Sequence, residues 1–179
     1  MSSARGKYLS LLFALVWAGA AVPALADVDC VDFKWDVSKE RALFTEAPAA
    51  LTAGKDPKSA PVVVPNRLYR LRLAAQDTVV FSASPAKKAA SASFAGLAAL
   101  KIQGPGSYRV ALDLPVWIDV VSNGALVAAK DFQGQHGCGA PHKIVEFDLP
   151  GARPLVLQLS NAASDTVLMS VTVSPPRKL

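Results

Sequence analysis

The chain has 179 residues, 51% of them hydrophobic and 18% charged, and 19 Lys and Arg against 14 Asp and Glu give a formal net charge of +5. The basic residues are scattered, so the excess does not make a nucleic-acid surface. No glycine-rich phosphate loop or dinucleotide fingerprint is present, which excludes the common nucleotide-cofactor sites.

The first residues read as an export address. Arg5 and Lys7 form a positive n-region, Leu9 to Ala21 an apolar h-region, and Ala24-Leu25-Ala26 a small-x-small cleavage site, so residues 1–26 are expected to be a signal peptide. The apolar run is short of the ~20 residues needed to span a bilayer, so no transmembrane segment is expected once the signal is removed. Cleavage leaves a mature chain of 153 residues starting at Asp27, the size of one domain. The expected destination is the periplasm or the medium, where a Cys30–Cys138 disulfide is the expected pairing. Closing so long a loop is worth about 4–5 kcal/mol on the chain-entropy account.

Residues 27–66 are expected to form an N-terminal segment with a short helix over Asp36–Phe44, Asp36 acting as N-cap, followed by an aperiodic surface connection over 47–65. From Arg67 the pattern is all strand. Tyr69, Leu71 and Leu73 alternate with Arg70 and Arg72, Val79, Phe81 and Ala83 with polar residues, and an apolar run covers Phe94–Ile102. Tyr108, Val110 and Leu112 then alternate with Arg109, and Val116, Ile118 and Val120 with Trp117 and Asp119. Asn123-Gly124 is the strongest hairpin signal and leads into Ala125–Asp131. Glycines break the loop carrying His136 and Cys138. Lys143, Val145, Phe147 and Leu149 then share one face of a strand, with His142, Ile144, Glu146 and Asp148 on the other. Two more strands follow, around Leu155–Leu159 and Val167–Val173. Nine short strands with almost no helix predict an all-β domain over 67–174, an antiparallel β-sandwich or jelly-roll with a short N-terminal helix.

These elements offer three kinds of candidate site. His136 and His142 are the candidate metal ligands, iron being the ion that suits two histidines with a carboxylate such as Asp131. Glu146 cannot join His142 on one ion, because four strand residues separate them by about 13 Å at ~3.3 Å per residue. The carboxylate pairs Asp113 with Asp119 and Glu146 with Asp148 sit at outward strand positions, where acids are usually solvated, as are Arg70, Arg72 and Arg109. No catalytic residue is assigned. For binding, Trp117 and Asp119 share one face of their strand, where an indole can stack on a sugar or an aromatic ligand, and Trp35 offers a second platform.

The segments FKWDVSKERALF, GPGSYRVALDLPVWIDVV and DFQGQHGCGAPHKIVEFDLP, the last followed by PLVLQLSNA, resemble a family of small exported proteins of Gram-negative bacteria over nearly the whole mature chain. The family has no settled function, and its members often bear the inherited name homogentisate 1,2-dioxygenase. That name implies a non-haem iron enzyme cleaving an aromatic diol, with iron held by two histidines and a glutamate. With only two histidines in the chain, His136 and His142 would both be ligands. The middle strands also resemble small β-sandwich modules appended to secreted peptidases. The primary expectation is a ligand- or protein-binding role in the cell envelope, with no cofactor; the dioxygenase is the alternative.

Overall fold

The computed structural model describes residues 33–135, 139–151 and 153–175. Cys30, His136 and Cys138 lie outside them, so the disulfide and half of the metal expectation fall outside as well. The fold is an all-β sandwich with one α-helix, α1 (Ser38–Phe44). The first sheet runs in the order β1 (Ala49–Thr52), β3 (Leu68–Arg72), β12 (Thr166–Val173), β6 (Gly106–Leu112), β10 (Lys143–Leu149), β9 (Ala129–Gly134). The second runs β2 (Val62–Val63), β5 (Phe94–Leu100), β11 (Leu155–Ala162), β7 (Trp117–Ser122), β8 (Ala125–Val127), with β4 (Ala74–Ala75) also on β5.

Alternation builds the core. Tyr69, Leu71, Tyr108, Val110, Leu112, Val145, Phe147, Val167, Met169 and Val171 of the first sheet meet Ala98, Leu100, Ile118, Val120, Leu155, Leu157 and Leu159 of the second in one buried cluster. Successive strand residues point to opposite faces, so the residues between them lie on the two outer faces.

Several expectations are corrected. Residues 47–65 are not a plain connection: β1 pairs parallel with β3 and β2 parallel with β5, so the antiparallel sandwich has parallel edges. These edges are two and four residues long, too short for a period to register. The segment Val79–Ala83 is not a strand; after the 3-10 turn Gln76–Thr78 it begins an irregular strap over residues 79–93. Ala125–Asp131 is not one strand, because β8 completes the second sheet and β9 the first. Helix α1 starts at Ser38, and Asp36 stands one residue before the cap position, its Oδ1 accepting from the Ser38 backbone N–H at 2.9 Å. That bond holds the Asp36 carboxyl below its usual range. The hairpin is as expected: Asn123 and Gly124 have φ of 52° and 75°, the left-handed pair that a two-residue turn between twisted strands requires.

Both outer faces are covered, by different devices. The N-terminal segment with α1 lies on the first sheet, where Phe33, Trp35, Val37 and Phe44 pack with Ala111 and Ile144. The strap lies on the second, where Val79 and Phe81 pack with Ala95, Leu97 and Val156.

Candidate functional site

Trp117 and Asp119 project from β7 onto the outer face of the second sheet, because Ile118 and Val120 take the core positions. Register places Ser160 beside Trp117 and Gln158 beside Asp119 on the same face. The strap crosses these residues and is held by them. The Gln158 side chain both accepts from the Ala83 N–H and donates to the Ala83 carbonyl, each at 3.1 Å. Asp119 Oδ2 accepts from the Ala86 N–H at 3.1 Å, and Asn161 accepts from the Ala90 N–H at 2.8 Å while donating to the Lys88 carbonyl at 3.1 Å. Gln76 closes the far end by accepting from the Asn161 N–H at 2.7 Å.

The electrostatics around Trp117 are dominated by cations. Its indole N–H donates to Asp119 Oδ1 at 3.0 Å, so both Asp119 oxygens are engaged and the carboxylate is a positioning group. Lys143 Nζ lies 5.0 Å and Lys87 Nζ 5.6 Å from the ring centroid, within cation–π range. Lys143 reaches across from β10 and donates to the Val116 carbonyl at 3.1 Å. Burial pushes its pKa down from 10.5, the Lys87 charge adds to the shift, and Asp119 offsets it in part. The site has more positive charge than its one acid balances.

Next to this cluster, between the strap and the 3-10 turn, is an open cavity of about 780 Å³. Val79, Phe81, Pro85 and Phe94 form apolar walls, and Lys87 and Lys88 belong to its lining. Lys87 therefore joins the cavity to the Trp117 ring. Ser160, fully buried on the same sheet face, has a hydroxyl without a hydrogen-bond partner among the described residues.

The opposite face carries the other charged cluster, and it corrects two readings. Arg109 and Glu146 are not solvated strand charges: they are 4% and 2% exposed. Arg109 Nε donates to Glu146 Oε2 at 3.1 Å and its Nη1 to the Asp36 carbonyl at 2.9 Å, with Glu40 Oε1 3.7 Å from Nη1. The Thr172 hydroxyl donates to Glu40 Oε1 at 2.5 Å, and Trp35 stacks on the guanidinium, 4.6 Å from ring centroid to Cζ. Trp35 is thus part of the clasp that fixes the N-terminal segment on the first sheet. It does not share a platform with Trp117, which belongs to the second. Arg70 and Arg72 are exposed, as expected.

His142 is half-buried at the entrance to β10. Its backbone N–H donates to the Leu112 carbonyl at 2.7 Å; burial raises the pKa of the nearby Asp113 carboxyl, which the Leu168 N–H and, less, His142 offset in part. Next to His142, Gln135 Nε2 donates to the Pro141 carbonyl at 3.0 Å. Glu146 is committed to Arg109 and, at 3.6 Å, to Lys130, so it does not fit an iron centre as the third donor. Among the described residues no three His, Cys, Asp or Glu side chains cluster as metal ligands.

The sequence reading missed Lys87, Lys143, Gln158 and Phe81. Two of them left a trace. Lys143 sits in phase with Val145, Phe147 and Leu149, a charge where the alternation calls for an apolar residue, and Gln158 interrupts a run of leucines. No family model, no curated protein and no solved structure matches the chain. No helix among the described residues is long and apolar enough to cross a membrane.

Proposed function

We propose that the chain is an exported β-sandwich binding module of the cell envelope, periplasmic or secreted, and that it takes up its ligand on the strap-covered face of the second sheet. The observation that carries this reading is the cavity of about 780 Å³, inside the size range of small-molecule sites, beside the braced Trp117–Asp119 pair and lined by both apolar walls and lysines. On the opposite face the buried charges Arg109, Glu40 and Glu146 are consumed by mutual contacts, which favours the second sheet as the binding surface. In this reading residues 1–26 are removed on export and Cys30 pairs with Cys138 in the mature protein.

The test uses the mature protein purified from the periplasm without chelator. Small carboxylates, oligosaccharides and aromatic diols are screened by thermal unfolding, since a ligand bound only to the folded state raises Tm. At least one compound should raise Tm in the wild type and lose that effect in Ala89→Trp, which adds bulk on the cavity wall at an exposed position that anchors nothing. A Tm gain that survives Ala89→Trp would move the site elsewhere. Stoichiometric iron by elemental analysis, lost in His136→Ala and His142→Ala, would replace the binding reading by the dioxygenase.

A further inference from the structure

We infer that the ligand is an amphipathic anion of the fatty-acid class, its apolar body in the cavity between the strap and the 3-10 turn and its acidic head at Lys87 and Lys88. The inference rests on the binding reading above and names its ligand class.

Three observations support it. The walls that Val79, Phe81, Pro85 and Phe94 contribute offer aliphatic and aromatic carbon, which rewards burial of an apolar chain. Lys87 and Lys88 line the same cavity, and among the described residues neither has an acidic partner at ion-pair distance, although ion pairs form elsewhere on the surface, as between Lys130 and Asp148 at 3.0 Å. Lys143 lies against the same Trp117 ring as Lys87, with its ammonium destabilised by burial and by Lys87. An anion placed at Lys87 would relieve that repulsion, whereas a cationic or neutral head group would not.

A neutral sugar fits less well. The indole N–H is taken by Asp119, and two ammoniums already lie within 5.6 Å of the ring centroid, so a sugar stacking there must displace a cation. Asp77 also lines the cavity, from the 3-10 turn rather than from the lysine-bearing strap, so the lining carries two lysines against one acid.

The experiment is isothermal titration of the mature protein with dodecanoate, dodecyl maltoside and dodecyltrimethylammonium, each below its micellar concentration. Dodecanoate should bind at one site, at least tenfold more tightly than the other two. Lys87→Ala/Lys88→Ala should weaken it at least tenfold with Tm unchanged, and Ala89→Trp should weaken it as well. Equal binding of all three amphiphiles, indifferent to the double lysine variant, would overturn the anionic assignment and leave the cavity as a binding site. No amphiphile binding, with a different compound lost in Ala89→Trp, would overturn the ligand class alone. Association with phosphatidylglycerol vesicles but not with monomeric dodecanoate would assign the lysines to a membrane surface and overturn the soluble ligand. If no compound in either experiment depends on Ala89, both readings fall.

Discussion

Replacing Arg109 by Met tests how the N-terminal segment is held. The guanidinium contacts Glu146 at 3.1 Å, the Asp36 carbonyl at 2.9 Å and Glu40 at 3.7 Å, and Arg109, Glu40 and Glu146 are each 5% exposed or less in their side chains. Methionine fills much of the same volume but leaves two buried carboxylates facing each other across the gap. Removing one member of a buried ion pair costs about 3–5 kcal/mol, because the remaining charge stays desolvated. Glu146 retains Lys130 at 3.6 Å, a partner 37% exposed, which places the expected loss near the lower end, about 3 kcal/mol. For a domain of this size each kcal/mol moves Tm by roughly 2–4 °C, so calorimetry of the protein should show a fall of about 6–12 °C. The triple variant Glu40→Gln, Arg109→Met, Glu146→Gln removes every charge in the clasp and keeps an acceptor for the Thr172 hydroxyl, so it should recover most of that loss. A single variant costing under about 1 kcal/mol, or a triple variant no better than the single, would refute the claim that uncompensated buried charge controls this contact.

Three further outcomes follow from the same geometry. Lys143 has a folded-state pKa below 10.5, so its charge costs stability at neutral pH; the folded state releases that proton first as pH rises, and stability should climb in the window between the lowered pKa and 10.5. Lys143→Met should flatten that climb in a denaturant series against pH, and an unchanged profile would assign the climb to other groups. Gln158→Leu leaves the Ala83 N–H and carbonyl without their partners and should cost about 1–3 kcal/mol, with faster amide exchange at Ala83 and Ala86; unchanged exchange there would mean that Gln158 does not pin the strap. Gly96→Ala drives a Cβ into the Ala53 methyl and to 3.2 Å from Leu73 Cδ2, between β5 and the chain leaving β1, and should destabilise by about 1–3 kcal/mol by urea titration; a neutral result would mean that the β1 end yields freely.

Alternation was legible wherever a strand has one face in the core. The cores of β6, β7, β10, β11 and β12 fall where Tyr108, Val116–Val120, Val145–Leu149, Leu155–Leu159 and Val167–Val173 put them, because period two is imposed by the pleat itself. It misled at Val79, Phe81 and Ala83. Those residues alternate because the strap also has an inner side, yet the Val80 N–H bonds to the Lys55 carbonyl and Ala83 to the Gln158 side chain in place of a strand ladder. The outer faces were the main blind spot. Alternation assigned Arg109 and Glu146 to the outside of their sheet correctly, but whether an outside is solvated depends on what packs over it. Here α1 covers it with Glu40 and Leu43 buried, a tertiary fact that no local period encodes. Trp117 and Asp119 were found because an indole and an acid two residues apart on a strand share a face; the lysines that give the site its sign come from the strap and from another sheet.

The way the strap is fastened has an evolutionary consequence. At Ala83, Ala86, Lys88 and Ala90 it offers only peptide N–H and carbonyl groups, while the side chains that grip them belong to Asp119, Gln158 and Asn161 in the framework strands. Every residue type except proline supplies the same peptide groups. Between Ala83 and Ala90 the strap can therefore exchange side chains with little penalty to its path, and the cavity can change what it selects while the sandwich and the packed Val79 and Phe81 stay the same. Mutational tolerance and ligand choice are thus concentrated in one short stretch of chain, and the constraints are held by three residues outside it.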